Sequence, residues 1–285
     1  MTGWVIPTWI RHFSPSSLGM FQRCPEQYRQ RYVLGIKERP TSNLTLGTSI
    51  HTAFEHNLIQ KIESHTDLPT KEVVDYYLDE AWPKAIARDG GADEIEWTRD
   101  QDEARNTGAK MATVFHETVS PRIQPVSTEE EFSLEWGGPR PLFGKIDCTT
   151  ELDVHDWKTS SKKVNKMKPA WRLQGGIYMA AKQKPVSWDI VTSAKEPSVV
   201  TPFESEDLRQ PYSIEAVKNT LFVVDRIVWA INEMHAKYSG DPQDPTTSKP
   251  WPMLGFGGDS ACGWCGFKKY CAAWGNHVPD NMVRR

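Results

Sequence analysis

The sequence predicts an α/β protein in which a helical N-terminal region precedes a region of strands and helices. Up to residue 125, apolar side chains recur every three or four positions, as on amphipathic helices. From Val126 the pattern changes to alternating apolar and polar residues separated by short polar turns, which is typical of strands. A long amphipathic helix and a loop rich in Pro, Gly, Asp and Ser then lead to a cysteine cluster.

The helical region begins with Ser14-Pro15-Ser16-Ser17, which is a plausible N-terminal cap. A second helix is indicated by Ile50, Phe54, Leu58 and Ile62, which recur every four positions. The predicted helices of this region are 14–35, 46–62, 70–88 and 98–119.

The central region contains the predicted sheet and one crossing helix. The predicted strands are 131–136, 142–148, 152–158 and 188–193, of which the second and third form a hairpin. Helices are predicted over 169–182 and 213–238, and 240–260 is predicted to be a loop. We therefore divide the chain into regions 1–125, 126–195 and 196–285 of one compact unit.

Composition narrows the class of protein. The chain has 285 residues, of which 38% are hydrophobic and 25% charged, which suits one large globular domain. It has no apolar run near the roughly 20 residues that span a membrane and no secretory signal, so we expect a soluble protein. Five cysteines in an uneven arrangement favour a reducing cytoplasm over a disulfide framework.

The net charge of −3 does not by itself predict nucleic-acid binding. Two local segments are nevertheless basic, and they are compatible with a groove that follows phosphates. A solvated lysine-rich loop is an equally compatible interpretation of the first segment. The two sets are Lys158, Lys162, Lys163, Lys166 and Lys168, and Arg23, Arg29, Arg31, Lys37 and Arg39.

The cysteines suggest a second centre. Cys262, Cys265 and Cys271 form C-x2-C-x5-C, and the fourth ligand of a metal or iron–sulfur site would be the distant Cys24. Spacing alone leaves zinc and an iron–sulfur cluster open. Cys148 remains, and we expect it to be a buried apolar residue.

The predicted hairpin carries the chemistry. Asp156 and Lys158 share one face of their strand, and the turn can bring Asp147 opposite Asp156. Two carboxylates with hard oxygens suit Mg²⁺ or Mn²⁺, which can activate water for attack on a phosphate. The alternative is a surface hairpin whose aspartates are paired with nearby lysines.

Two flanking helices add candidate residues. His51 could complete a metal site, with Glu55 on the same helix face, although an ordinary helix histidine is the alternative. The segment matches neither zinc-protease motif. Gln174 and Tyr178 lie one turn apart and could hydrogen-bond a phosphate or base, or simply form a polar helix face.

Six elements in this order resemble the RecB-like nucleases of the PD-(D/E)xK superfamily, and specifically their iron–sulfur branch. That branch includes CRISPR-adaptation exonucleases, AddB-type nuclease domains and stand-alone phage relatives. The elements are Ser14-Pro15-Ser16 with Cys24-Pro25, Gly47…His51, Gly144…Asp147, Asp156-Trp157-Lys158, Gln174…Tyr178 and the terminal cysteines. The usual proline before the first acidic residue is replaced by Ile146.

The resemblance implies a restriction-endonuclease-like core, with a mixed sheet flanked by helices, and a role for each matching residue. His51, Asp147, Asp156 and the Trp157 carbonyl would bind Mg²⁺ or Mn²⁺, and Lys158 would be the catalytic lysine. Gln174 and Tyr178 would contact DNA or support the site. The implied 4Fe–4S ligands are Cys24, Cys262, Cys265 and Cys271.

The implied activity is a DNA exonuclease acting on single-stranded DNA or duplex ends in recombination, repair or phage DNA processing. It would work in the cytoplasm of a bacterial or phage-infected cell. No Walker P-loop is present, so a separate helicase or recombination partner would supply any unwinding. The rival is a catalytically silent DNA-binding or assembly module that retains the scaffold.

Overall fold

The computed structural model describes residues 4–164, 166–238, 240–241, 247–252, 262 and 265–271. Its elements form two compact units. One contains the described residues of Met1–Glu38, Ser133–Gly144 and Ile214–Arg285, and the other contains Arg39–Phe132 and Lys145–Ser213. None of the described helices combines the length and the apolar character that crossing a membrane requires.

The helices follow the predicted order with some changes of boundary. They are α1 (Pro15–Arg23), α2 (Pro25–Tyr28), α3 (Ser42–Ser64), α4 (Thr70–Tyr76), α5 (Trp82–Arg88), α6 (Gln101–Thr118), α7 (Pro169–Lys182) and α8 (Ile214–Tyr238). The predicted helix over 14–35 is interrupted at Cys24, which has extended backbone before Pro25 starts α2. Beyond α2 the chain continues as a π-helical turn, Arg29–Val33.

Six strands form one mixed sheet, which confirms the α/β class. They are β1 (Pro125–Leu134), β2 (Leu142–Thr150), β3 (Val154–Ser160), β4 (Val186–Thr192), β5 (Val199–Val200) and β6 (Arg209–Gln210). The order is β1-β2-β3-β4-β5, and β6 also pairs with β4. β3 and β4 are parallel and are joined by α7, whose bounds match the prediction.

The first predicted strand, 131–136, was placed too late in the chain. β1 begins at Pro125 and ends at Leu134, so Trp136 lies beyond it. The Trp136 Nε1–H donates to the carbonyl of Arg140 at 2.8 Å, within the connection to β2. Alternation of residue types continued into this connection and therefore gave a false strand end. The predicted loop 240–260 lies largely outside the described residues.

The core of the second unit lies between the helices and one face of the sheet. The rings of Phe54 on α3 and Phe115 on α6 stack with centroids 3.4 Å apart. Phe115 also meets the buried indole of Trp157 edge-on at 5.1 Å. Cys148 is fully buried in the same cluster, as predicted. This packing fixes α3 and β3 relative to each other, and both carry candidate site residues.

Candidate active site

His51 lies on α3, one helical turn after Gly47. The helix starts at the N-cap Thr41, whose hydroxyl accepts from the Leu44 N–H, and it buries Ile50 in the core. His51 is on the flank of that buried face, and its Nδ1 is 3.5 Å from Asp147 Oδ1. The helix therefore holds an imidazole beside the hairpin carboxylate.

The predicted hairpin is confirmed as the antiparallel pair of β2 and β3. Cys148 pairs with His155, and the same register continued by one residue places Asp147 opposite Asp156. The Trp157 N–H donates to Asp147 Oδ2 at 2.7 Å, which orients that carboxylate. The two aspartates therefore approach each other on adjacent strands.

Asp156 is 1% exposed, and its neighbours account for both carboxylate oxygens. Oδ1 forms an ion pair with the Lys158 ammonium, although the contact falls outside directed hydrogen-bond geometry. Oδ2 accepts from Gln174 Nε2 at 3.0 Å and lies 3.2 Å from the Tyr178 hydroxyl. The sequence reasoning placed Asp156 and Lys158 on one face, and the ion pair agrees with that placement.

Tyr178 is buried and contacts the site residues through its hydroxyl. Its hydroxyl donates to the Lys145 carbonyl at 2.9 Å and accepts from Gln174 Nε2 at 2.6 Å. The glycine pair beside Gln174 permits this close packing, because a Cβ on Gly175 would lie 3.2 Å from the Trp188 ring and closer still to Gln210. The geometry makes Gln174 and Tyr178 supports of Asp156.

The electrostatics of the two aspartates differ. Burial raises the pKa of Asp147, but the charges of His51 and Lys158 outweigh it, so the pKa of Asp147 is lowered overall. Burial dominates at Asp156 and raises its pKa above the usual value despite Lys158. Burial lowers the pKa of His51, whereas Asp147 raises it by more, so the net direction is upward.

Glu129 is a site residue that sequence reasoning missed. Ligand atoms of His51, Glu129 and Asp147 all lie within 4.8 Å of one another, and this is the one such group among the described residues. Glu129 has a left-handed backbone (φ 48°) within β1, which is uncommon for a residue other than glycine. Its carboxylate meets Lys145 Nζ at 2.5 Å.

The signal that could have identified Glu129 was the run Glu129-Glu130-Glu131 on a strand. Regular alternation would place Glu129 and Glu131 on one face. The left-handed residue breaks that alternation, so the sequence alone does not show which glutamate turns towards the site. Glu130 instead pairs with Lys182, and Glu131 is exposed.

The group of His51, Glu129 and Asp147 fits a divalent cation. One imidazole nitrogen and two carboxylate oxygens suit Mg²⁺ or Mn²⁺. Ligands on opposite sides of an octahedral Mg²⁺ are separated by about 4.2 Å, so a spread within 4.8 Å needs only a small contraction. Asp156 is outside this group, and its oxygens face Lys158, Gln174 and Tyr178.

The basic segments differ in what they offer. The four described lysines that follow Lys158 in the chain are exposed: Lys162, Lys163, Lys166 and Lys168. Arg29, counted with the second basic segment, is instead buried and paired with Glu26 at 2.8 Å. That guanidinium is part of the fold, because it also donates to Ser248, and it is a poor candidate for a phosphate contact.

The four cysteines expected to form a cluster, Cys24, Cys262, Cys265 and Cys271, lie in the first unit. Cys24 ends α1, and three residues later Gln27 donates to Cys265 Sγ at 2.9 Å. The Cys265 N–H donates to the Cys262 carbonyl at 3.3 Å. Burial raises the pKa of Cys265, and Cys24 adds to that shift. Residues near Cys24 therefore contact the C-terminal cysteine loop.

Two solved structures that resemble the chain have low sequence identity to it. A protein from Eubacterium rectale described as a "putative exonuclease" is 11% identical, with a TM-score of 0.48, over 78% of this chain and 82% of that one. A protein named SSO0001 is 12% identical, with a TM-score of 0.32, over 90% of this chain and 95% of that one. No curated protein matches the chain.

The family comparison covers most of the sequence. Residues 12–272 match the PD-(D/E)XK nuclease superfamily, a span that includes the hairpin with Asp147, Asp156 and Lys158. The mixed sheet flanked by helices agrees with a core of that kind. The chain therefore belongs to the PD-(D/E)XK nuclease superfamily.

Proposed function

We propose that this chain is a metal-dependent DNA exonuclease that hydrolyses phosphodiester bonds of single-stranded DNA or DNA ends. One observation carries the proposal. The hairpin of β2 and β3 brings Asp147 opposite the ion pair of Asp156 and Lys158, and α3 places His51 beside Asp147. Family membership supports a nuclease, and the donor set supports a divalent metal.

In this proposal His51, Asp147 and Glu129 would hold Mg²⁺ or Mn²⁺. The family resemblance adds Asp156 and the Trp157 carbonyl as ligands, and Asp156 would then exchange part of its contact with Lys158, Gln174 and Tyr178 for the cation. The bound cation would activate water and offset charge on the phosphate. Lys158 is 24% exposed at its side chain, so its ammonium can reach a substrate phosphate while Asp156 restrains it. Gln174 and Tyr178 keep the Asp156 carboxylate in position by hydrogen bonding from α7.

The lysine-rich segment after β3 supplies the proposed contact with the DNA backbone. It leads directly away from Lys158, and its described lysines are exposed. Point charges of this kind bind phosphates without reading base sequence. We therefore expect cleavage without sequence preference and binding that weakens as salt concentration rises.

The test is cleavage of a labelled single-stranded oligonucleotide with Mn²⁺. Lys158→Ala is expected to lower the rate by about 100-fold or more while DNA binding changes little. Lys71→Ala is the matched control, because Lys71 is a surface lysine on α4 that pairs with Asp75. Labels at the 5′ and 3′ ends in separate reactions give the polarity and reveal any endonuclease products.

The rival function is a catalytically silent DNA-binding or assembly module. If wild type and Lys158→Ala bind DNA equally and neither cleaves it with Mg²⁺ or Mn²⁺, the nuclease proposal is wrong and the rival is favoured. Activity in the wild type that Lys158→Ala retains would contradict the assigned role of Lys158.

We also propose that Cys24, Cys262, Cys265 and Cys271 hold a structural 4Fe–4S cluster. The contacts of Gln27 and Cys265 support the closeness of the two segments. Four thiolates can hold either zinc or an iron–sulfur cluster, and absorption and metal content distinguish the two.

The cluster is tested by absorption and metal content. Anaerobically purified protein is expected to be brown, with iron and acid-labile sulfide, and Cys24→Ser should lose both. Cys148→Ser is the matched control, because Cys148 is buried in the other unit. A colourless, zinc-loaded and fully active preparation would rule the cluster out.

A further inference from the structure

Four side chains form a stack that runs outwards from the candidate active site. The Lys158 ammonium lies 5.3 Å from the ring centroid of Trp188. The Trp188 and Trp171 rings stack with centroids 5.8 Å apart and planes 16° from parallel. The Lys168 ammonium lies 4.8 Å from the Trp171 centroid. Cations therefore contact both ends of a tryptophan pair.

The sheet register explains why this stack begins at the site. Trp188 pairs with Asp156 across the parallel strands β3 and β4, so both side chains project from the same face. Trp188 is fully buried, and the Lys158 ammonium lies over its ring. The two separations together place the Trp171 ring at most about 11 Å from the Lys158 ammonium. That reach corresponds to about three stacked nucleotides at 3.4 Å each.

Trp171 differs from Trp188 in being accessible. It lies in the first turn of α7 and is half-buried, whereas its neighbours Lys168 and Arg172 are exposed. One side of its ring is supported by Trp188, so the indole is held rigidly in a basic environment. An aromatic ring beside basic side chains is the arrangement on which unpaired bases stack in single-strand binding proteins.

We propose that Trp171 is a stacking platform for an unpaired nucleobase near the scissile phosphate. The Lys168 ammonium leaves the ring when the base arrives and pairs with the adjacent backbone phosphate. This inference rests on the proposed nuclease function and extends it, because a stacked base at this distance requires the DNA to be single-stranded beside Lys158. The preference for single strands then originates at α7.

The experiment measures binding by fluorescence anisotropy with fluorescein-labelled oligothymidylate in EDTA, which prevents metal-dependent cleavage. A series of oligonucleotides carries one abasic nucleotide at each successive position. Wild type is expected to lose roughly 5- to 150-fold in affinity when the abasic position coincides with the platform. Trp171→Ala is expected to bind the intact strand more weakly than the wild type by the same factor. Its affinity should not fall further when the strand carries the abasic nucleotide at that position.

Two further variants make the result specific. Trp171→Phe retains an aromatic ring on Trp188 and is expected to bind within a few-fold of wild type. Trp229→Ala is the matched control, because Trp229 is 51% exposed on α8 in the other unit and should bind like wild type. Thermal melts of each variant confirm folding.

The possible outcomes separate this inference from the proposed function. If the wild type cleaves and binds DNA but Trp171→Ala binds the intact strand within twofold, the platform is wrong and the nuclease proposal stands. The platform is also wrong if Trp171→Ala and the abasic nucleotide each weaken binding and their losses of affinity add in full when the two are combined. A wild type that neither binds nor cleaves DNA overturns both.

Discussion

Glu129→Gln tests the metal site at the residue that only the folded structure reveals. The substitution keeps the size of the side chain and removes one of the two carboxylate charges in the group of three ligands that converge within 4.8 Å. It also releases Lys145, whose side chain is 50% exposed, so the lost surface ion pair should contribute little to stability. Without metal, Glu129→Gln should therefore be about as stable as the wild type.

The sign of the metal-free effect can be argued further. Burial raises the pKa of Glu55, and the negative charge of Glu129 adds to that shift, so these carboxylates repel each other. Neutralising Glu129 removes part of this repulsion. This gain opposes the small loss from the Lys145 ion pair, so the metal-free Tm of Glu129→Gln should stay close to that of the wild type.

The magnitude of the metal effect follows from binding linkage. Mn²⁺ at 100 times its dissociation constant stabilises the folded protein by about 2.7 kcal/mol. For domains of this size, that corresponds to roughly 5–10 °C in Tm. If Glu129→Gln weakens binding about 100-fold, the stabilisation at the same Mn²⁺ concentration falls to about 0.4 kcal/mol, or roughly 1 °C.

The assay is differential scanning calorimetry with and without Mn²⁺ and with no DNA present, so it does not depend on activity. Glu131→Gln is the matched control on the same strand, because Glu131 is exposed and outside the ligand group. We expect it to keep the full Mn²⁺ shift. An equal shift in wild type and Glu129→Gln would refute the assignment of Glu129 as a ligand.

Three other predictions concern the support around the sites. His235 is fully buried, and burial lowers its pKa to about 3. As the pH falls from 6.5 to 4, the unfolded chain therefore takes up a proton that the folded chain does not, and the free energy of unfolding of the wild type should fall by about 3 kcal/mol. Urea titrations should show a smaller fall for His235→Leu. Tyr178→Phe removes the hydroxyl that donates to the part-buried Lys145 carbonyl, and it should cost about 0.5–1.5 kcal/mol in urea unfolding. The value of kcat should change more than KM, because Asp156 loses the neighbouring hydroxyl. Phe115→Ala should destabilise by about 3–5 kcal/mol, and a loss below 1 kcal/mol would contradict its core role.

The hairpin and α7 could be predicted because their signals are local. Alternation along β3 fixes which residues share a face, and the helix of 169–182 has an apolar face bounded by Pro169 and Gln183, the latter in the left-handed conformation that ends a helix. These local rules placed Asp156 and Lys158 on one face of a strand and Gln174 on a helix, and the resemblance to the RecB-like nucleases then implied that Gln174 supports the site.

Other features depend on contacts that local patterns do not encode. Glu129 reaches the ligand group through a left-handed backbone in the middle of a strand. Arg29 appeared as part of a basic surface, but Glu26 and Ser248 draw it into the interior of the first unit. In both cases the decisive partner is set by tertiary packing, so residue type and spacing were not enough.

A single register links the proposed chemistry to the proposed substrate contact. β3 and β4 pair Asp156 with Trp188 and Lys158 with Ile190, and α7 joins the same two strands and carries Trp171. Because side chains alternate between faces, a slip of one residue would move Trp188 away from Lys158 and remove the support beneath Trp171. The strand alignment that places Lys158 above the Trp188 ring therefore also positions Trp171, the ring on which we propose that a base stacks. Strand preference and catalysis should consequently be lost together when this pairing is disturbed, and separately when only Trp171 or only Lys158 is changed.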